Sequence, residues 1–387
     1  MECVLNGIRG GGDFKQPPEV ATKELVENPY KNTKLNAEFT MITAVLHKNL
    51  GLDHEIEKIE QSPLEAKNFT TALSNYVNRN GKRIRPLLVI NGYHAVLDQV
   101  EYKKILPVAI SVENLHAYLL IHDDIMDGDD LRRGKPAFHK IFEDRAKKWG
   151  FRNPAKFGES AGIIGGDILS TWGLEHILNS NFTADAKVRA LKVYNNMNKH
   201  TGFGQFFDVL YSNKPLKSVK EEDVLRVHIN KTAKYTFEGP LHLGAVLGGA
   251  TKSQLESLTN YAIPLGIAFQ LYDDYLGLFG TEKKIGKPLY SDLKEGKKTL
   301  LTVKAFENGT LDQRKSILSA LGNHNLTIKQ GTEIKDIVVE TGSLDYSRQK
   351  WTELKKASIS SITNAQINSE IKQVLTDLAE NMVDRRK

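Results

Sequence analysis

The sequence predicts an all-α protein built as one large domain of about a dozen helices. Three observations lead there. From about Leu35 onward, apolar residues recur at steps of three and four. Convincing period-two alternation is absent. The Gly, Pro and Asn punctuators fall mostly between the periodic spans. There is no internal repeat of fixed period and no low-complexity tract.

Taken in order, residues 1–35 are rich in Gly, Pro, Asn and charge and read as a loose tail, with the folded unit at 36–387. GKRIRP follows Gly81 and marks a helix start. In SVENLHAYLLIHDDIMD, Val112, Leu115, Leu119 and Leu120 share helical spacing, and Gly128, Gly134 and Pro136 end the run. KWGFRNPAKFG and Asn213–Pro215 are further breaks. EDVLRVHINKTAKYTFEGPLHLGAVLGGA and SQLESLTNYAIPLGIAFQLYDDYLGLF read as long helices, bent by Pro240 and Pro264. Gly286–Pro288 is another break.

The 387 residues are 40% hydrophobic and 26% charged, which suits a sizeable core. The net charge is +6, but Lys and Arg are dispersed and few aromatics interleave, which disfavours nucleic acid and suits anionic small substrates. Cys3 is the only cysteine, so no intrachain disulfide forms. The N-terminal stretch matches neither a signal nor a transit sequence. No uninterrupted apolar run approaches the ~18 residues of a spanning helix. The expectation is a soluble cytoplasmic protein.

HDDIMDGDDLRRGKP crowds five Asp together and then reverses sign. Asp123 and Asp127 lie four apart on one helical face, at a helix end where the dipole disfavours negative charge. A hard divalent cation resolves both conflicts. Mg²⁺ takes one or two carboxylates plus substrate phosphates, and Arg132, Arg133 and Lys135 suit the same phosphates. An acidic loop neutralised by adjacent bases fits this stretch alone equally well. A second acidic pair, Asp273 and Asp274, ends another long apolar helix, with Gln270 about one turn earlier. Two such helix ends suggest convergence on one metal site.

Lys82 and Arg85 lie where a helix N-terminus adds to anion preference. Lys231 stands beside Thr232, and Lys287, Lys297 and Lys298 come from GKPLYSDLKEGKKT. Any one of these fits a solvated surface lysine. Together they exceed what the acids need and ask for multiply charged anions. His116 sits two turns before Asp123, while His122, His139 and His242 read as core or surface residues.

These motifs together resemble the trans-isoprenyl diphosphate synthase family, the polyprenyl synthetases. GKRIRP, HDDIMDGDDLRRGKP, Gly166–Asp167, GFGQFFD, Lys231–Thr232, FQLYDD and GKPLYSDLKEGKKT occur in the family's order, from about residue 40 to the C-terminus. In detail the chain resembles the archaeal and bacterial geranylgeranyl-type enzymes, and its first Asp motif lacks the two-residue insertion of many bacterial farnesyl synthases. The resemblance implies an isoprenoid synthase-type helical bundle around a central cavity, a homodimer, and Mg²⁺-dependent head-to-tail condensation of isopentenyl diphosphate with dimethylallyl, geranyl or farnesyl diphosphate. It implies that Lys82, Arg85, His116 and Arg133 hold isopentenyl diphosphate. It assigns Arg132, Lys231, Gln270, Lys287 and Lys297 to the allylic diphosphate, with Thr232 beside them, and Asp123, Asp127 and Asp273 to Mg²⁺. Gly277 departs from the full DDxxD pattern, so Asp274 would act through a water.

Such chemistry needs no nucleophilic side chain. Cations stabilise the departing diphosphate, and the dipoles of Thr232 and Gln205 face the allylic cation. Leu119 lies one turn below Asp123, and Tyr118 flanks that line; the resemblance makes Tyr118 a floor that limits the product to about C20. A farnesyl or longer-chain synthase, a class I terpene cyclase and a non-catalytic partner subunit are the alternatives. A cyclase would use one diphosphate and would not need Lys82, Arg85 or a second Asp pair. A partner subunit would be expected to have lost Asp or Lys ligands.

Overall fold

The computed structural model describes residues 30–48, 64–99, 101–281 and 289–382. The architecture is all-α, as the periodicity predicted. In chain order the helices are α1 (Thr33–Lys48), α2 (Leu64–Val77), α3 (Ile84–His94), α4 (Tyr102–Asp127), α5 (Phe138–Lys148), α6 (Pro154–Leu178) and α7 (Ala184–Asn213). After them come α8 (Glu221–Val227), a π-helix (His228–Glu238), α9 (Gly239–Leu247), α10 (Lys252–Phe279) and α11 (Ser291–Lys294). The chain closes with α12 (Leu300–Asn308), α13 (Leu311–Ala320), α14 (Ile328–Glu340), α15 (Ser343–Thr363) and α16 (Ser369–Met382). Helix α1 starts at Thr33 and buries Leu35, inside the stretch read as tail; residues 1–29 lie outside the described residues.

Local chemistry sets the ends. Thr183, Thr251, Thr299, Thr310 and Thr327 each accept a hydrogen bond from the backbone N–H three residues on. Asn153 does the same for α6, ahead of Pro154. Helix α4 stops at Gly128, whose φ of 70° lets its N–H reach the Asp124 carbonyl.

Helix α4 is the spine. It packs along α6 on one side and α3 on the other, while the π-helix bridges α7 and α10, and α10 leans on α15. By length and composition α4 is long and apolar enough to cross a membrane, but 67% of its most apolar window is buried within the bundle. Glu113 and Asn114 are buried midway along it.

Two features differ from the sequence expectation. The span containing Lys231 reads as plain α-helix, yet residues 228–238 wind as a π-helix and resume α geometry at Gly239–Pro240. Such widened turns re-aim side chains and are frequent at functional sites. Helix α7 backs so closely on this turn that a Cβ at Gly204 would collide with the Lys231 backbone. The second difference is a two-residue hairpin, β1 (Leu131–Arg132) with β2 (Lys135–Pro136). Its turn residues Arg133 and Gly134 both have positive φ, 55° and 71°, which the twist of a tight hairpin demands. Pro264 lies inside α10 as expected, and Pro107 lies inside α4.

Helix α1 is pinned by a buried polar cluster. Glu38 accepts hydrogen bonds from Asn91 Nδ2 at 2.8 Å and Tyr102 OH at 3.2 Å. Burial pushes its carboxyl up to about 7, against the opposing pull of Lys34. A carboxyl raised on folding stabilises fully below its unfolded pKa and loses that contribution as pH rises through the folded value. Glu38 should therefore cost the fold about 3 kcal/mol between pH 4.5 and pH 8. Replacing Glu38→Gln should abolish that share of the pH dependence. Urea midpoints of both proteins at pH 5 and pH 8 would test it, and parallel losses would refute it.

Candidate active site

The first Asp motif sits where α4 ends and the hairpin begins. Arg132 ends strand β1, whereas Arg133 opens the turn with positive φ, so the two side chains diverge. Arg132 reaches the carboxylates of Asp123 (3.7 Å), Asp124 and Asp129 (3.0 Å). Arg133 turns away, donating to the Arg79 carbonyl at 3.1 Å and to His116 Nε2 at 3.3 Å.

Asp124 is fully buried and anchors Arg132, helped by the Tyr76 hydroxyl at 3.0 Å. Burial raises the Asp124 carboxyl even so. Asp124 therefore holds a base in place and does not face the cleft, a role the sequence reading left open.

Asp123 and Asp127 meet lysines from distant elements. Lys231 of the π-helix lies 3.1 Å from Asp123 and 2.7 Å from Asp208 of α7. Lys297, after α11, lies 3.0 Å from Asp127 and 2.6 Å from Glu295. Burial opposes ionisation of Asp123, yet Lys231, Lys297 and Arg132 together hold its carboxyl far below the usual range. Burial likewise opposes charge on Lys231, but Asp123 and Asp208 hold it protonated.

The second motif has a different character. Among the described residues no hydrogen bond or ion pair reaches the Asp273 carboxylate. Burial, then Asp274 and Asp292, push it up to about 8. A carboxylate held among acids without a counter-charge suits a hard divalent cation. Beside it runs a polar chain: Thr232 donates to Gln270 at 2.9 Å, Gln270 to Asp274 at 3.1 Å, and His228 Nε2 lies 3.2 Å from Asp274. Asp292 stands against Gly277, where a Cβ would collide with its carboxylate. The space of the motif's missing last Asp is thus occupied by another acid.

Two pockets result. One is a solvent-open cleft of about 640 Å³, lined by Asp208, Lys231, Thr232, Gln270, Asp274, Asp292, Lys297 and Lys298 among others. The other, about 270 Å³, is lined by Arg79, Glu113, His116, Arg132 and Arg133 with their apolar neighbours. Arg132 lines the second pocket and touches Asp123, which touches Lys231 of the first. The Asp motif thus lies between an Arg-rich pocket and one where three Lys face three Asp.

Of the other residues read from sequence, Arg85 lies over the Tyr235 ring at 4.3 Å and donates to Thr236 at 2.8 Å. His116 Nδ1 lies 2.6 Å from the Tyr235 hydroxyl, and burial with Arg85 and Arg133 keeps the ring neutral. Its Nε2 accepts from Arg133, so Nδ1 carries the proton. Lys82 is exposed, and its carbonyl accepts from Tyr30. Lys298 Nζ is tied to the carbonyls of Ser212 and Gly296. Gln205 Nε2 lies 3.8 Å from Met126 Sδ, next to Asp127. Leu119 keeps the Asp123 face, whereas Tyr118 turns toward α6 and meets His122 edge-on at 4.8 Å. His122, His139 and His242 serve packing or backbone contacts. Lys287 lies outside the described residues.

The sequence reading missed Asp208, Asp129, Asp292 and Glu295 as participants. Carboxylate oxygens of Asp127, Asp129 and Glu295 lie within 4.8 Å of one another, a spacing able to hold a metal ion. Asp208 ends GFGQFFD and Glu295 sits in LKEGKK, so both lay inside quoted motifs.

A sequence profile of the polyprenyl synthetase family matches residues 66–338. The chain belongs to that family. It is 32% identical over 83% of its length to geranylgeranyl diphosphate synthase of Saccharolobus solfataricus, covering 91% of that protein. It is 35% identical over 64% of its length to farnesyl diphosphate synthase of Geobacillus stearothermophilus, covering 78% of it. Among solved structures, geranylgeranyl pyrophosphate synthase of Corynebacterium glutamicum, complexed with isoprenyl diphosphate and magnesium, superposes with a TM-score of 0.83. That match has 29% identity and covers 90% of this chain and 99% of the other. Polyprenyl synthetases join prenyl units head to tail, and this chain is a prenyltransferase.

Tyr76→Phe removes a hydrogen bond to a buried charged acceptor. It should lower stability by roughly 1.5–3 kcal/mol and loosen Arg132. An unchanged urea midpoint would show that Asp124 does not need the hydroxyl.

Proposed function

We propose that the protein condenses isopentenyl diphosphate with allylic diphosphates, ending at geranylgeranyl diphosphate, as a Mg²⁺-dependent cytoplasmic homodimer. One observation carries the reading: an Asp motif lies between an Arg-rich pocket and a second pocket that carries three Lys and three Asp. Two diphosphate substrates need cations in two pockets, and a metal needs the carboxylates in and between them. A cyclase would leave the His116–Arg133 pocket without a task. A non-catalytic subunit would have no reason to keep both acid pairs.

In this reading Lys82, Arg85, His116 and Arg133 hold isopentenyl diphosphate. Arg132, Lys231, Gln270, Lys287 and Lys297 hold the allylic diphosphate, with Thr232 orienting Gln270. Asp123, Asp127 and Asp273 hold Mg²⁺, which when bound offsets the charge of the departing diphosphate. Lys231 and Lys297 now neutralise Asp123, Asp127, Asp208 and Glu295. On substrate entry they exchange these acids for diphosphate oxygens, so the site is charged in advance for an anion. The C–O bond then ionises, the isopentenyl double bond attacks the allylic cation, and released diphosphate takes the proton. Thr232 and Gln205 present dipoles to the cation, and the apolar walls exclude water.

The dimer follows from the family resemblance. Exposed Trp149, Phe151, Ile163 and Ile164, on and beside α5 and α6, support it. The C20 end-point rests on Tyr118, which stands at the α4–α6 contact five residues before Asp123.

Incubation of the purified protein alone with labelled isopentenyl diphosphate, each allylic primer and Mg²⁺ should yield a C20 product. Recovery of a cyclic hydrocarbon, or of nothing, would refute the reading. Asp123→Ala and Asp273→Ala should each abolish turnover while circular dichroism stays helical; near-normal rates in either would refute its ligand role. Tyr118→Ala should lengthen the product by chromatography, and an unchanged distribution would remove its role as floor.

A further inference from the structure

Arg79 lies in the link between α2 and α3 and belongs to none of the motifs quoted above. Its side chain and its backbone both engage the frame of the smaller pocket. The guanidinium sits over the Tyr76 ring at 4.4 Å. Nη2 donates to the Pro136 carbonyl at 2.7 Å, and Nη1 to the Arg132 carbonyl at a longer 3.4 Å. These two carbonyls lie on either side of the hairpin turn at Arg133–Gly134. The Arg79 carbonyl accepts from Arg83 Nη2 at 2.8 Å and from Arg133 Nη1 at 3.1 Å.

The end of α2 explains why guanidinium groups gather there. The carbonyls of Val77 and Arg79 lie at its C-terminal end, the negative pole of the helix dipole. Arg83 Nη1 donates to the Val77 carbonyl at 3.1 Å, so Arg83 and Arg133 share this end. Both are non-glycine residues with positive φ. Conformations of this kind persist where the surroundings over-determine them, and the Arg79 peptide serves both. The two hairpin arginines are otherwise unequal. Arg132 is tethered to Asp123, Asp124 and Asp129. Among the described residues the Arg133 guanidinium is held by the Arg79 carbonyl and by His116 Nε2, with no carboxylate in ion-pair reach. A Cβ at Gly81 would collide with that guanidinium, so the link also packs against it.

We propose that Arg79 is a positioning residue for isopentenyl diphosphate, a role that rests on the condensation reading above. It acts through Arg133. Its guanidinium closes the hairpin from outside through a charge-assisted hydrogen bond and so fixes the strained turn. Its carbonyl sets the direction of the Arg133 guanidinium, which lines the smaller pocket beside His116. An Arg133 placed before substrate arrives loses less freedom on binding. Arg132 has anchors of its own, so the clamp bears on one substrate and spares the other. Loss of the clamp therefore weakens the isopentenyl diphosphate site and leaves the allylic site in place.

Calorimetric titration with isopentenyl diphosphate alone reads the effect without turnover. Arg79→Met keeps an unbranched side chain against Tyr76 but removes every donor. It should bind isopentenyl diphosphate about tenfold more weakly than wild type, the loss expected for one charge-assisted hydrogen bond. Steady-state assays should show the same rise in the KM for isopentenyl diphosphate, with kcat and the KM for farnesyl diphosphate within about twofold of wild type. Arg79→Lys keeps a charged donor for Pro136 and should recover part of the loss. Unchanged binding in Arg79→Met would overturn the proposal. So would equal weakening of both substrates, which would assign Arg79 to general stability, and so would a Lys variant as weak as Arg79→Met. Should Arg79→Met fold poorly, Arg79→Gln must show the same split between the two substrates, at smaller size. A wild type that binds isopentenyl diphosphate yet forms no prenyl product would instead strike the condensation reading, so the two failures are distinguishable.

Discussion

Everything at this site depends on charge neutralised across distant segments. Lys231 on the π-helix is shared by Asp123 of α4 and Asp208 of α7. Lys297 is shared by Asp127 and Glu295. An ion buried alone is costly, and breaking a buried pair by removing one partner typically costs about 3–5 kcal/mol. These pairs therefore fix how α4, α7, the π-helix and the segment after α11 meet. The same pairs make the site responsive, because an incoming dianion and cation can take over both halves of each pair.

Backbone strain concentrates at the same place. Among the described residues only Arg83, Arg133 and Tyr290 are non-glycine residues with positive φ, and each lies in a motif segment. Such conformations cost about 1–3 kcal/mol and persist where surroundings over-determine them. Arg83 is held by a buried pair with Glu113 and by the carbonyls of Val77 and Arg79. Arg133 is held by Arg79 and His116. The π-helix is a third local departure, since it sets the position from which Lys231 reaches both acids.

Much of this was legible beforehand. Helical periodicity identified the all-α class, and like charges at a helix end marked α4 as unfinished without a partner. Both signals are local, because a helix imposes its period on neighbours and two carboxylates four apart repel whatever the fold. Asp208, Glu295 and Asp292 were not legible as participants. An acid in a charged stretch resembles a solvated one until a distant lysine meets it. Motif likeness implied separate tasks for Arg132 and Arg133, but it gave no sign of the hairpin that divides them. Alternation over two residues is too short to register as a strand.

The sequence alone determined the helical class, the helix ends and the chemical types assembled at the two Asp motifs, since propensity, capping and charge act over a few residues. Tertiary structure alone decided which lysine neutralises which acid, that Asp124 anchors Arg132 and not the cleft, and that no base among the described residues pairs with Asp273. It also decided that Arg79 closes the hairpin. Each of these depends on desolvation and on contacts between residues tens to hundreds of positions apart, which no local pattern encodes.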